Sequence, residues 1–193
     1  MATLSHAEAR SILDQAWRRV HGRAPTAGEL AYTQAIALLE TGYGRAGQFA
    51  KMAEQGQFNW GALEQRMPAS GICPPGTAPG IDQGNVCFLV FPDDVSAAAR
   101  FVQTLTRRHW PVLQVMSSGS PEDVARAMRS PPAYYTGPSG SEDTKVNYYA
   151  SAIRNALSRI GTTVTEGGLG LVPWAILGAS AAGLGYWYYK RSR

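Results

Sequence analysis

A chain of 193 residues is long enough for one domain of ordinary size and a short appendage. Hydrophobic residues at 45% and charged residues at 17% exclude a disordered tail, while 21 glycines and 12 prolines exclude a pure helical bundle and require one long irregular segment. The net charge of +4 gives no sign of a nucleic-acid partner. Lys190, Arg191 and Arg193 supply three of the positive charges, residues 1–160 hold 15 basic and 13 acidic side chains, and no basic stripe with interleaved aromatics is present.

Along the chain, Ser5 and Glu8 form a capping-box pattern ahead of Ile12, Leu13, Ala16, Trp17 and Val20, which share one helical stripe. Thr26 and Glu29 repeat the pattern before Leu30, Ile36, Ala37, Leu38 and Leu39, with Gly42 as a stop. A third helix is expected over about 93–109, and a short fourth one from Ser120–Pro121 through Met128. The last starts near Ser141, with Val146, Tyr149, Ala150, Ile153, Leu157 and Ile160 in phase. Residues 69–92 collect most of the turn signals and contain one strand-like run, Cys87–Phe88–Leu89–Val90–Phe91. The expectation is a mainly α domain over residues 1–160 with a small loop-and-strand lobe inserted after the second or third helix.

Cys73 and Cys87 sit near the two ends of that lobe. A disulfide between them would close a loop of about 15 residues and contribute on the order of 3 kcal/mol. Two buried free thiols are the alternative; the disulfide is preferred because it suits an extracytoplasmic domain. No CxxC pair is present and His6, His21 and His109 are scattered, so neither a metal nor a cofactor is expected.

Residues 161–168 read as a flexible linker, and Leu169 to Tyr189 reads LGLVPWAILGASAAGLGYWYY, without a charge. Twenty-one residues make about 31 Å of helix, the thickness of a bilayer core. Trp174 lies near one end, four aromatics from Tyr186 to Tyr189 lie at the other, and residues 190–193 form a basic flank, as at membrane interfaces. A C-terminal transmembrane helix is therefore expected, with the lipid bilayer as a partner. Gly178 with Ala182, Ala179 with Gly183 and Ala181 with Gly185 place small residues four apart, which would permit pairing with another span. Met1 to Val20 has no apolar core of a signal peptide. The basic tail would lie in the cytoplasm and the domain across the membrane, which calls for late insertion or assembly into a virus particle.

Glu40 stands at the end of an apolar helix, directly before Gly42–Tyr43–Gly44. A helix C-terminus and apolar neighbours both disfavour a carboxylate anion and raise its pKa, the condition for a general acid near neutral pH. On spacing alone, an ordinary solvated glutamate at a helix end is the better reading. Glu40–Thr41–Gly42–Tyr43–Gly44, followed by Asn59–Trp60–Gly61–Ala62, resembles the lysozyme-superfamily peptidoglycan hydrolases, in particular their glucosaminidase-like and lytic-transglycosylase-like muralytic domains. The similarity continues through Phe91–Pro92, Pro132–Ala133–Tyr134–Tyr135 and Val146–Asn147–Tyr148–Tyr149–Ala150, covering about residues 5–160.

The resemblance implies a lysozyme-like fold and cleavage of the peptidoglycan glycan strand, with Glu40 as the general acid that protonates the glycosidic oxygen. It implies that Tyr43, Asn59 and Trp60 line the sugar cleft, the amide bonding an N-acetyl group and the indole stacking on a sugar. Tyr135 and Tyr149 match aromatics facing the same groove; Trp60 as a core anchor and Tyr149 as a stripe residue are the packing alternatives. For a second carboxylate, Asp82 in the lobe is preferred to Glu64, and Asp93 and Asp94 fit helix capping. Hydrolysis and transglycosylation remain open. Together with the span, this points to a membrane-anchored muralytic enzyme of a phage particle, or of a bacterial envelope, that aids local wall digestion and genome delivery. The alternative is an inactive lysozyme-like structural or glycan-binding membrane protein.

Overall fold

The computed structural model describes residues 4–80, 86–130, 139–165 and 168–171. Among them the chain is mainly helical: α1 (His6–His21), α2 (Ala27–Thr41), α3 (Gln48–Glu54), α4 (Asp94–Gln103), α5 (Trp110–Met116), α6 (Pro121–Arg129) and α7 (Glu142–Arg159). The strands are β1 (Glu64–Arg66), β2 (Thr77–Pro79), β3 (Val86–Leu89), β4 (Thr162–Thr165) and β5 (Gly168–Leu171).

The start signals act as their chemistry requires. Ser5 and Thr26 each accept a hydrogen bond from the backbone N–H three residues on, and Glu8 and Glu29 return the bond. Ser120 and Asp123 form a third such box at α6, with Pro121 in the first turn. Glu29 is buried, yet its carboxylate is gripped by the Arg23 guanidinium at 2.6 and 2.8 Å, so its charge is matched.

Helix α2 is the axis of the fold. Every residue from Gly28 to Ala37 is buried, and the helix packs against α1, α5 and α7. A helix apolar on all sides is placed inside rather than on the surface. Trp17, Tyr32, Ile36, Phe101, Leu105, Met116, Met128 and Ile153 fill the main core around it.

The expected helix over 93–109 is interrupted. Helix α4 runs into a π-helical turn over Thr104–Arg108, and α5 begins after His109. Helices α3 and α5 were not legible in the sequence, since seven residues each give too short a stripe to show a period. The lobe between α3 and α4 is a three-stranded antiparallel sheet in the order β1–β3–β2. It packs on α3 through Phe49, Met52, Ala78 and Phe88, with the two phenyl rings edge to face at 5.1 Å. Cys73 and Cys87 form a disulfide, with Cα atoms 5.6 Å apart, that ties the loop before β2 to β3.

The linker boundary is corrected. Strands β4 and β5 pair antiparallel, with Thr162 opposite Leu171 and Val164 opposite Leu169. The run Thr162–Thr163–Val164–Thr165 is β-branched throughout, which favours an extended backbone over a flexible one. Leu169, expected to open the apolar helix, lies in β5 instead. Among the described residues no helix is long and apolar enough to cross a membrane. Residues 172–193 lie outside the described residues.

Candidate active site

The α2 helix ends one residue after Glu40. Gly42, at φ 55°, donates its N–H to the Leu38 carbonyl, and Tyr43 donates to Ala37, closing the last turn. No basic side chain lies in that turn. Glu40 is thus left partly buried at a helix end without a cation. Burial pushes its carboxyl up from 4.5 to about 7, and a hydrogen bond from the Tyr149 hydroxyl to Oε1 at 2.8 Å opposes part of that rise. The carboxyl therefore keeps its proton to a much higher pH than an ordinary glutamate. Tyr149 is 4% exposed and comes from α7, so the site joins the C-terminal end of α2 to the middle of the last long helix.

The Glu40–Gly44 and Asn59–Ala62 blocks meet in space. Thr41 Oγ1 donates to the Trp60 carbonyl at 2.8 Å and accepts from the Gly44 N–H at 2.8 Å. Gly44, at φ 70°, lies so close to the second block that a Cβ there would stand 2.9 Å from the Asn59 carbonyl oxygen. Only glycine fits. The Tyr43 ring lies 5.6 Å from that of Trp60.

This contact corrects the roles expected for three residues. Asn59 is 1% exposed; its Nδ2 donates to the Leu63 and Leu89 carbonyls and its Oδ1 accepts from the Gly61 and Leu63 N–H groups. Its amide holds the turn and the β3 end together, which leaves no capacity for a sugar. Trp60 is fully buried, and its indole N–H donates to Asp94 Oδ1 at 2.8 Å. It is the core anchor rather than a stacking platform. Tyr43, 2% exposed and at φ 61°, directs its hydroxyl to His6 Nδ1 at 2.9 Å and within 3.4 Å of Gln34 Nε2. A bulky residue in the left-handed region is unusual, and the hydrogen bonds at its hydroxyl, with the burial of its ring, hold it there.

Asp94 does more than start a helix. Asp93 is the cap of α4, accepting from the Ser96 N–H, which frees the Asp94 carboxylate to join the Trp60 indole to Arg45 at 2.7 Å. The Arg45 side chain is 9% exposed, so this ion pair is largely withdrawn from water. It was not legible in the sequence, because Arg45, Trp60 and Asp94 share no periodicity.

Comparison with known proteins gives no match. No family model fits the chain, and no curated protein or solved structure matches it.

Glu64 lies on β1, exposed overall, with partial burial raising its carboxyl above the usual range. Asp82 and Tyr135 lie outside the described residues. Among the described residues there is no group of three His, Cys, Asp or Glu side chains placed to hold a metal. A groove of about 320 Å³ opens elsewhere, where the end of α1 meets α4, and does not include Glu40.

Proposed function

We propose that this chain is a membrane-anchored muralytic enzyme that cuts the peptidoglycan glycan strand, with Glu40 as general acid. The observation that supports it most is the state of Glu40: a partly buried carboxyl with a pKa of about 7, oriented by the Tyr149 hydroxyl. Such a group can hold a proton at neutral pH and hand it to a glycosidic oxygen as the bond breaks and an oxocarbenium-like centre forms. A second carboxylate, with Asp82 first and Glu64 second, would serve as base or nucleophile; without one, the substrate's own N-acetyl group or hydroxyl completes the reaction, giving hydrolysis or transglycosylation.

The 18 uncharged residues 172–189 would span about 27 Å as a helix, enough for the proposed membrane span. On this reading the domain works close to a virion or bacterial envelope membrane, its catalytic face toward the wall. The burial of Asn59, Trp60 and Tyr43 favours a second reading, a lysozyme-like domain kept as a structural or glycan-binding membrane protein. A zymogram of the full chain on a peptidoglycan gel separates the two. A cleared band supports the enzyme, mass analysis of the released fragments names the cut bond, and no clearing at any pH from 5 to 8 supports the second reading.

A further inference from the structure

The groove between the end of α1 and α4 has a composition unlike the rest of the surface. Arg19, Arg100 and Arg107 line it together with Ser96, Gln103 and Phe91, and no carboxylate does. Ser96, Arg100, Gln103 and Arg107 recur every three or four residues, so α4 and its π-turn present them as one face. The partners of the three arginines are all neutral: Arg19 donates to Ser96 Oγ, Arg100 to Gln103 Oε1 and Arg107 to the Val20 carbonyl. None of the three makes an ion pair among the described residues, whereas Arg18, Arg23 and Arg45 are matched by Asp14, Glu29 and Asp94. Arg19 acts on Asp93 through its charge but makes no ion pair with it, and the two Asp93 oxygens are taken up by the Ser96 N–H and hydroxyl. The positive field is felt nearby: His21 is held below its ordinary value by burial first, then by Arg23 and Arg107, with Glu29 opposing.

Three guanidinium groups of five N–H donors each line this one groove. Their planar forks match phosphate oxygens two at a time. We propose that this groove binds a linear polyanion of phosphodiester-linked polyol or sugar units, the class of acidic polymer that would accompany a glycan wall. An open groove accepts a chain passing through it, so that its arginines can meet successive phosphates. Nucleic acid fits less well, because Phe91 is the only aromatic side chain in the lining and a single-strand site needs a succession of stacking rings. The groove does not contain Glu40, but the choice of a wall polymer as its occupant rests on the wall-cutting function proposed above.

The test is calorimetric titration of the full chain, in a neutral detergent, with a glycerol-phosphate oligomer, inorganic phosphate, oligothymidylate and vesicles containing phosphatidylglycerol. The glycerol-phosphate oligomer should bind more tightly than any of the other three. Its log affinity should fall with log salt at a slope of about −2, as for roughly three released counterions. The double variant Arg100→Gln/Arg107→Gln should bind it at least 10-fold more weakly, while Arg18→Gln, which removes a matched arginine, should stay within twofold. Circular dichroism melts confirm that the exposed glutamines leave the fold intact. Equal binding by the double variant and the parent overturns the proposal. So does oligothymidylate binding as tightly as the polyol phosphate, or binding confined to the vesicles.

Discussion

The hydroxyl of Tyr149 donates a hydrogen bond to Oε1 of Glu40 at 2.8 Å, across 109 residues of chain. That bond favours the charged carboxylate, whereas burial, the larger influence, favours the neutral acid. Their balance sets the pH at which Glu40 stops holding its proton. A general acid works while protonated, so wall-cutting activity should decline above about pH 7.

Tyr149→Phe should move that limb upward. Without the donor, only burial acts on Glu40, its pKa rises further, and the fall in rate shifts to higher pH while the maximum rate drops several-fold through lost orientation. A pH profile of glycan cleavage checks this. A limb that stays in place or moves down would show that the bond does not govern the acid.

Glu40 should also leave a mark on stability. Its carboxyl titrates near 7 when folded against 4.5 in the ordinary state, so the folded protein holds more protons between these values. Stability is accordingly lost as pH rises from about 4.5 to 7, and the full penalty stands above 7. Glu40→Gln removes it and should stabilise the fold by on the order of 1–3 kcal/mol at pH 8, with the gain vanishing by pH 4. Urea titrations at the two pH values measure the difference.

Asp94 holds a different structure together. Its carboxylate serves both the buried Trp60 indole and the Arg45 guanidinium. Asp94→Ala leaves a nearly buried cation without its counter-ion and the Trp60 indole N–H without its acceptor, and should cost about 3 kcal/mol. Arg45→Met in that background should recover part of the loss, since the stranded charge is gone; thermal denaturation of the two variants makes the comparison.

Most of the helical frame was legible because its signals are local. The capping boxes at Ser5, Thr26 and Ser120 and the stripe of α7 each lie within a few residues of one another. The disulfide followed from Cys73 and Cys87 at the two ends of the turn-rich segment, and β3 from the apolar run that starts at Cys87. Glu40 could be singled out from its helix end and apolar neighbours. What the motif residues do was not legible in the same way. Asn59 and Trp60 are amphipathic side chains whose choice between sugar and core depends on partners at Leu89 and Asp94, far along the chain. The pairing of β4 with β5 was obscured because the apolar, glycine-rich sequence of β5 equally suits the start of a membrane helix.

Reduction of the Cys73–Cys87 bridge should loosen the sheet lobe more than the helical body. Cys73→Ser/Cys87→Ser should lower stability by about 3 kcal/mol, by restoring entropy to the unfolded chain. Hydrogen exchange should rise in β2 and β3 while α2 stays protected.

The central claim is that the Glu40 proton breaks the glycosidic bond, and the rate of glycan cleavage by Glu40→Gln measures it directly. Glutamine keeps the size and accepts the Tyr149 hydrogen bond but has no proton to transfer. General acid catalysis supplies about 10²–10⁴-fold, so cleavage of purified peptidoglycan should fall at least 10²-fold with the fold intact. Cleavage by Glu40→Gln at close to the parent rate would contradict the account.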